Sequence, residues 1–111
     1  MDGIAEDLYR KVRPTERSIE LLRSWLTTDQ LHQFDEHGWF IVRGSDTGKR
    51  YRINSADVAY NIHELDDDGR IVERFCVVPE GNFPIGDIML TQKIAFETEE
   101  LKARRVANRR T

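Results

Sequence analysis

The sequence predicts an α+β domain: N-terminal helices, a four-stranded antiparallel sheet made of two hairpins, and a long C-terminal helix packed on the sheet. Three observations predict it. Apolar residues recur at helical spacing before Gly38 and again after Ile85. Between them, β-branched and aromatic runs alternate with polar residues and are joined in pairs by turn residues. With 111 residues, the chain is expected to form one domain, 1–111, that needs no staples to hold a core.

Ile4, Leu8 and Val12 are four apart, which puts them on one face of a short first helix. Arg13-Pro14 is expected to end it, because the residue before proline avoids helical dihedrals. A second helix starts near Thr15. Its stripe of Ile19, Leu22 and Leu26, flanked by Leu21 and Trp25, is wide enough to be packed. Thr27-Thr28-Asp29-Gln30 reads as a capping box that opens a third helix, with Leu31 and Phe34 as its apolar contacts. Gly38 fits the left-handed residue that closes it.

The stretch Trp39–Ile53 reads as a hairpin. Trp39 to Arg43 and Tyr51 to Ile53 suit a half-buried pleated surface, and Gly44-Ser45-Asp46-Thr47-Gly48-Lys49 is turn chemistry. Alternation puts Phe40 and Val42 on one face with Tyr51 and Ile53, and Trp39, Ile41, Arg43, Arg50 and Arg52 on the other. The loop is not a Walker loop: three residues, not four, separate its glycines, and a strand follows instead of a helix. Its amides remain suited to cradling an anion.

Val58 to Leu65 reads as a third strand and Arg70 to Val78 as a fourth, joined by Asp66-Asp67-Asp68-Gly69. Pro79 to Pro84 stops the sheet. The last helix is expected from Ile85 or Asp87 to about Ala107. Ile85, Ile88, Met89, Ala95, Phe96, Val106 and Ala107 fall on one broad stripe, and Leu90, Ile94 and Leu101 on nearly the opposite side. A helix apolar on two sides must bury both, so Leu90, Ile94 and Leu101 are candidates for packing on the N-terminal helices or on a second copy of the chain. Lys102, Arg104, Arg105, Arg109 and Arg110 form a basic tail, placed where cations complement a helix C-terminus.

Charge is unevenly distributed although the net is only −3. Residues 1–53 carry nine acids and nine bases, residues 54–100 eleven acids and three bases, and residues 101–111 five bases and no acid. A uniformly basic nucleic-acid binder is excluded, whereas a local basic patch is not. One cysteine excludes an internal disulfide and a cysteine-built zinc site, and fits a reducing, cytoplasmic setting. No apolar run approaches the roughly 20 residues of a membrane span, and the first residues lack the apolar core of a signal peptide.

The motifs for catalysis and metals are incomplete. Asp66-Asp67-Asp68 lacks the alternating acids and distal glutamate of a calcium loop. His32 and His37 are five apart, whereas metal-ligand pairs on one helix face are four apart. Cys76 and His63 form a conceivable thiol–imidazole pair, but no orienting group or oxyanion site accompanies them. Neither enzyme activity nor a cofactor is expected. The stronger candidate is the outer sheet face, with Trp39, Arg43, Arg50, Arg52, Asn61, His63 and Arg74, together with Lys49. Aromatics among guanidiniums suit nucleic acid and acidic protein alike.

Cys76-Val77-Val78-Pro79 followed by Gly86-Asp87-Ile88-Met89-Leu90-Thr91-Gln92-Lys93 loosely resembles the SWIM-type ββα module. Only Cys76 matches that module's zinc ligands, so the resemblance implies a metal-free relative. The whole chain, through Gly44–Ile53, Pro79-Glu80-Gly81 and Gly86–Lys93, is also similar to small α-proteobacterial and phage proteins, a family that brings no assigned activity. The expected function is a non-enzymatic binding module whose Trp/Arg face meets an acidic protein or nucleic acid. The alternative is a structural or assembly protein, phage-related in kind, that forms a homo-oligomer through its two-sided last helix.

Overall fold

Helix α1 runs unbroken over Gly3–Trp25, so the expected stop at Arg13-Pro14 does not occur. The computed structural model describes residues 3–56 and 59–110, residues 3–13 by their backbone alone. The Ile4/Leu8/Val12 stripe therefore lies outside the described side chains. An internal proline costs about 3 kcal/mol of helix stability. Pro14 is exposed, and the helix is anchored just beyond it, where Ser18 and Leu22 are buried. Ser18 sits against Gly86 of α3 (Ile85–Thr98), so closely that a Cβ on Gly86 would lie 2.4 Å from the Ser18 carbonyl carbon. Tertiary docking outweighs the local preference.

Helix α2 (Thr28–His37) forms as its capping box dictates. The Thr27 hydroxyl accepts from the Gln30 amide at 3.2 Å, and the Gln30 side chain accepts from the Thr27 amide at 3.1 Å. Gly38 takes φ 76° and donates to the Phe34 carbonyl. The chain passes directly into β1 (Trp39–Arg43), followed by β2 (Arg50–Asn54), β3 (Ile62–Leu65) and β4 (Ile71–Cys76). A fifth strand, β5 (Asn108–Arg110), pairs with β4, and the order β1-β2-β3-β4-β5 is antiparallel throughout. The sheet thus has five strands, not the expected four. The C-terminal helix is two: α3 stops at Thr98, Glu99 leaves helical dihedrals, and α4 (Glu100–Val106) redirects the chain to the free edge of β4. The third strand is shorter than expected. Val58 lies outside the described residues, and Tyr60 adopts φ 55°, which interrupts the alternation. Asn61 consequently points inward, not outward.

The inner face carries Phe40, Val42, Tyr51, Ile53, Ile62 and Phe75, all essentially fully buried, against Leu22, Met89, Leu90, Phe96 and Ala103. The Phe96 ring lies 4.6 Å from Tyr51 and 6.0 Å from Phe75, so α3 covers the sheet centre. Leu90 belongs to this core, which corrects its expected place on an interface, whereas Ile94 and Leu101 are exposed. Buried polar side chains of the core find partners among the described residues. Gln92 exchanges hydrogen bonds with Asn61, and Lys93 bonds Gln30 and Glu97. The outer edge of β1 is capped by α2, with Gln33 accepting from the Ile41 amide and Gln30 donating to its carbonyl. Among the described residues no helix is long and apolar enough to cross a membrane.

The Gly44–Lys49 loop does cradle an anion, and the anion is the protein's own. The fully buried Glu100 carboxylate accepts from the Asp46 and Thr47 amides at 2.9 and 2.7 Å, from the Thr47 hydroxyl, and from the Tyr51 hydroxyl. The loop returns the favour to α4: Ser45 Oγ accepts from the Glu100 amide and Asp46 from the Leu101 amide, both at 3.0 Å. Gly44 makes the approach possible, since a Cβ there would lie 2.1 Å from the carboxyl carbon. Burial alone would raise the pKa of Glu100. The bonds from Thr47, Tyr51 and the loop amides outweigh it and hold the group below the ordinary carboxylate range. The unfolded chain therefore binds this proton more readily, and the stability that Glu100 confers is present above a pKa of about 4.3 and lost as pH falls through the lower folded value. Acid titration of the folded fraction should show this loss, and Glu100→Gln should flatten the profile over that window.

Candidate functional site

The sheet sorts its charges by face. On the inner side Glu64 and Glu73 are opposite each other in register, and Arg104 from α4 meets both, at 2.5 and 3.8 Å. Arg104 also donates to the Tyr51 hydroxyl, and Lys49 reaches Glu64 at 3.4 Å. Burial lowers the pKa of Arg104, but the bonds to Glu64 and Tyr51 prevail and raise it. Burial, then the Glu100 bond, pushes the Tyr51 phenol far up, so it remains a hydroxyl donor at neutral pH. Arg104 and Lys49, both expected on a binding surface, are thus engaged with the protein's own carboxylates.

The outer side is the reverse. Strand register sets Ile41, Arg52, His63, Arg74 and Arg110 side by side, one residue from each strand. Neighbouring strands are about 4.8 Å apart, so the four basic groups form a row roughly 14 Å long. Among the described residues, none of these arginines meets a carboxylate. Arg52 lies over the Trp39 ring at 5.3 Å and keeps a buried Nε with no hydrogen-bond partner. Arg110 lies over the Tyr60 ring at 5.1 Å. Arg43 and Arg50 extend the face toward the loops, where they donate to backbone carbonyls of Gly48 and Asp66. His63 contacts the Asn54 amide through Nδ1 at 3.3 Å. Burial first, then Arg52 and Arg74 on either side, lower its pKa against the opposing Tyr60 carbonyl, which favours the neutral ring. Like charges directly opposite each other destabilise a sheet. Arg74 and Arg110, opposite each other on adjacent strands, run against that rule.

The expected site residues thus divide. Trp39, Arg43, Arg50, Arg52, His63 and Arg74 share the outer face, as alternation predicts. Trp39 is already stacked on His37 at 4.7 Å and 9°, with Arg52 also over its ring. Its ring is committed within the protein. The basic tail is dispersed, not continuous. Arg104 turns inward, Lys102 and Arg105 are exposed on α4, Arg109 caps the Arg104 carbonyl, and only Arg110 joins the row. Arg110 was expected in the basic tail, and its place in the row beside Tyr60 depends on the pairing of β5 with β4. Among the described residues there is no cluster of three groups able to hold a metal.

Among the described residues, concavities adjoin the face at both of its ends. One of about 580 Å³ at the loop end mixes Arg43, Lys49 and Arg50 with Glu64, Asp66 and Asp67. The other, about 360 Å³, lies at the far end beside Tyr60, His63, Arg74 and Arg110. Comparison with protein-family models, curated proteins and solved structures finds no match.

Proposed function

We propose that this protein is a non-enzymatic binding module that presents the outer face of its sheet to a polyanionic partner, an acidic protein or a nucleic acid. The observation that carries this reading is the Arg52–His63–Arg74–Arg110 row, kept free of described carboxylates while the glutamates of the same strands face inward. A sheet stabilised only for its own sake would intersperse the two signs across each strand pair. Guanidiniums offer fixed forks of donors to carboxylates and phosphates alike.

The test is fluorescence anisotropy with two probes, a single-stranded oligonucleotide and a polyglutamate, for the wild type and for Arg52→Ala/Arg74→Ala. Each arginine is expected to contribute about 1 kcal/mol, so the double variant should bind roughly thirtyfold more weakly. Its melting temperature should hold or rise, because like-charge repulsion is relieved. Equal affinity of wild type and variant would end this reading. The preferred probe identifies the class of partner.

A second reading, self-association, is favoured by the exposure of Leu101 (55%), Trp25 (57%) and Ile94 (42%). A salt-insensitive oligomer abolished by Ile94→Asp or Leu101→Asp, with the fold retained, would support it over the first.

A further inference from the structure

The cleft beside β5 has a chemistry more specific than the rest of the face. Arg74 and Arg110 are directly opposite in register, and both line it with His63 and Tyr60. Among the described residues, its lining contains no carboxylate. Arg110 is steadied over the Tyr60 ring, and Tyr60 is held at φ 55°. A bulky residue in the left-handed region is strained by about 1–3 kcal/mol, and such strain concentrates at ligand clamps. The Asn54 amide fixes the orientation of His63. Next to His63 in register is Arg52, whose buried Nε has no partner. At about 360 Å³ the cleft is within the range of small-molecule sites and larger than a bare ion requires.

We propose that this cleft binds the terminal phosphate of a small phosphomonoester, with Arg74 and Arg110 as paired guanidinium donors and His63 beside them. The proposal rests on the reading of the outer face as anion-binding and names the ligand class at one end of it. A phosphomonoester presents up to two negative charges and three acceptor oxygens, enough for two guanidinium forks and an imidazole. A carboxylate has two oxygens and one charge, and a backbone phosphodiester has two free oxygens and one charge. Either would leave donors of the cleft unmatched.

The experiment is an NMR titration of the full chain that follows the His63 ring and the Arg74 and Arg110 side-chain Nε–H signals at constant pH and ionic strength. The probes are inorganic phosphate, a nucleoside 5′-monophosphate, and a dinucleoside phosphate that lacks a terminal phosphate. Saturable shifts at these three residues are expected with phosphate, at an apparent Kd on the order of 1 mM. The 5′-monophosphate should bind at least as tightly, and the diester at least about tenfold more weakly. Arg74→Gln and Arg110→Gln should each weaken phosphate binding by about tenfold or more, whereas Arg17→Gln, a charge control on α1, should not. Shifts that never saturate, that survive both cleft variants, or that are as strong with the diester would overturn the proposal. If the polyanion probes still bind with Arg52/Arg74 dependence while phosphate fails, the cleft assignment falls and the face reading stands. If neither binds, both fall.

Discussion

Gly44→Ala is expected to destabilise the fold by about 3–5 kcal/mol, the range for breaking a buried charge out of its partners. For a domain of this size, that is a drop in Tm of roughly 10–20 °C. The added Cβ would lie 2.1–2.3 Å from all three carboxyl atoms of Glu100. The carboxylate cannot withdraw, because the Asp46 and Thr47 amides and the Thr47 and Tyr51 hydroxyls hold it in place. If it leaves, those donors lose their acceptor and the junction between α3 and α4 loses its clasp. Gly48→Ala in the same loop is the control. Gly48 has φ 74° but open space around its Cβ position, so only the left-handed backbone cost of about 1–2 kcal/mol applies. Thermal or urea unfolding separates the two. The effects of Gly44→Ala and Glu100→Ala should also be strongly non-additive, the double variant being little worse than Glu100→Ala alone. Full additivity would mean that Gly44 matters for some reason other than the carboxylate.

Gly86→Ala is expected to cost about 3 kcal/mol, against the usual helix-propensity gain of about 1 kcal/mol from replacing glycine by alanine. The clash decides the sign. The new methyl would lie 2.4 Å from the Ser18 carbonyl carbon and oxygen, which are backbone atoms of α1 and cannot rotate away. Relief requires α1 and α3 to separate, which opens the core around Leu22 and Met89. Denaturant unfolding followed by far-UV circular dichroism reads the effect as a lower midpoint, and hydrogen exchange along α1 should rise with it. A Gly86→Ala protein as stable as the wild type would show that the helices do not approach this closely.

Much of the fold was legible where local and tertiary preferences agree. The Thr27/Gln30 capping box and the Gly38 terminator set α2 as read. The alternation of Trp39–Arg43 against Arg50–Ile53 assigned the two faces of the first hairpin correctly. The misreadings share one cause, an interaction between residues far apart in sequence. Pro14 stays helical because α1 is docked at Ser18 and Leu22. The last helix breaks at Glu99 because the Glu100 side chain is drawn into a loop more than fifty residues earlier. That break lets Asn108–Arg110 become a strand, which helical periodicity through Ala107 concealed. The candidate face was legible by parity alone, but its completion by Arg110 was not. Arg104 looked like its tail neighbours, and only the facing pair Glu64 and Glu73 reveals why it turns inward. Leu90 followed the same logic: its spacing matched Ile94, but the packing of α3 on the core buries it.

The open row of basic residues across the sheet is the surface proposed to meet a polyanionic partner. The most direct measurement is a chemical-shift map of the whole chain with the tighter-binding polyanion probe. Saturable perturbations are expected, centred on Arg52, His63, Arg74 and Arg110 and extending to Arg43 and Arg50, with Glu64, Glu73 and Arg104 on the opposite face little changed. Perturbations centred instead on Trp25, Ile94 and Leu101, or spread without saturation over every exposed cation, would contradict it.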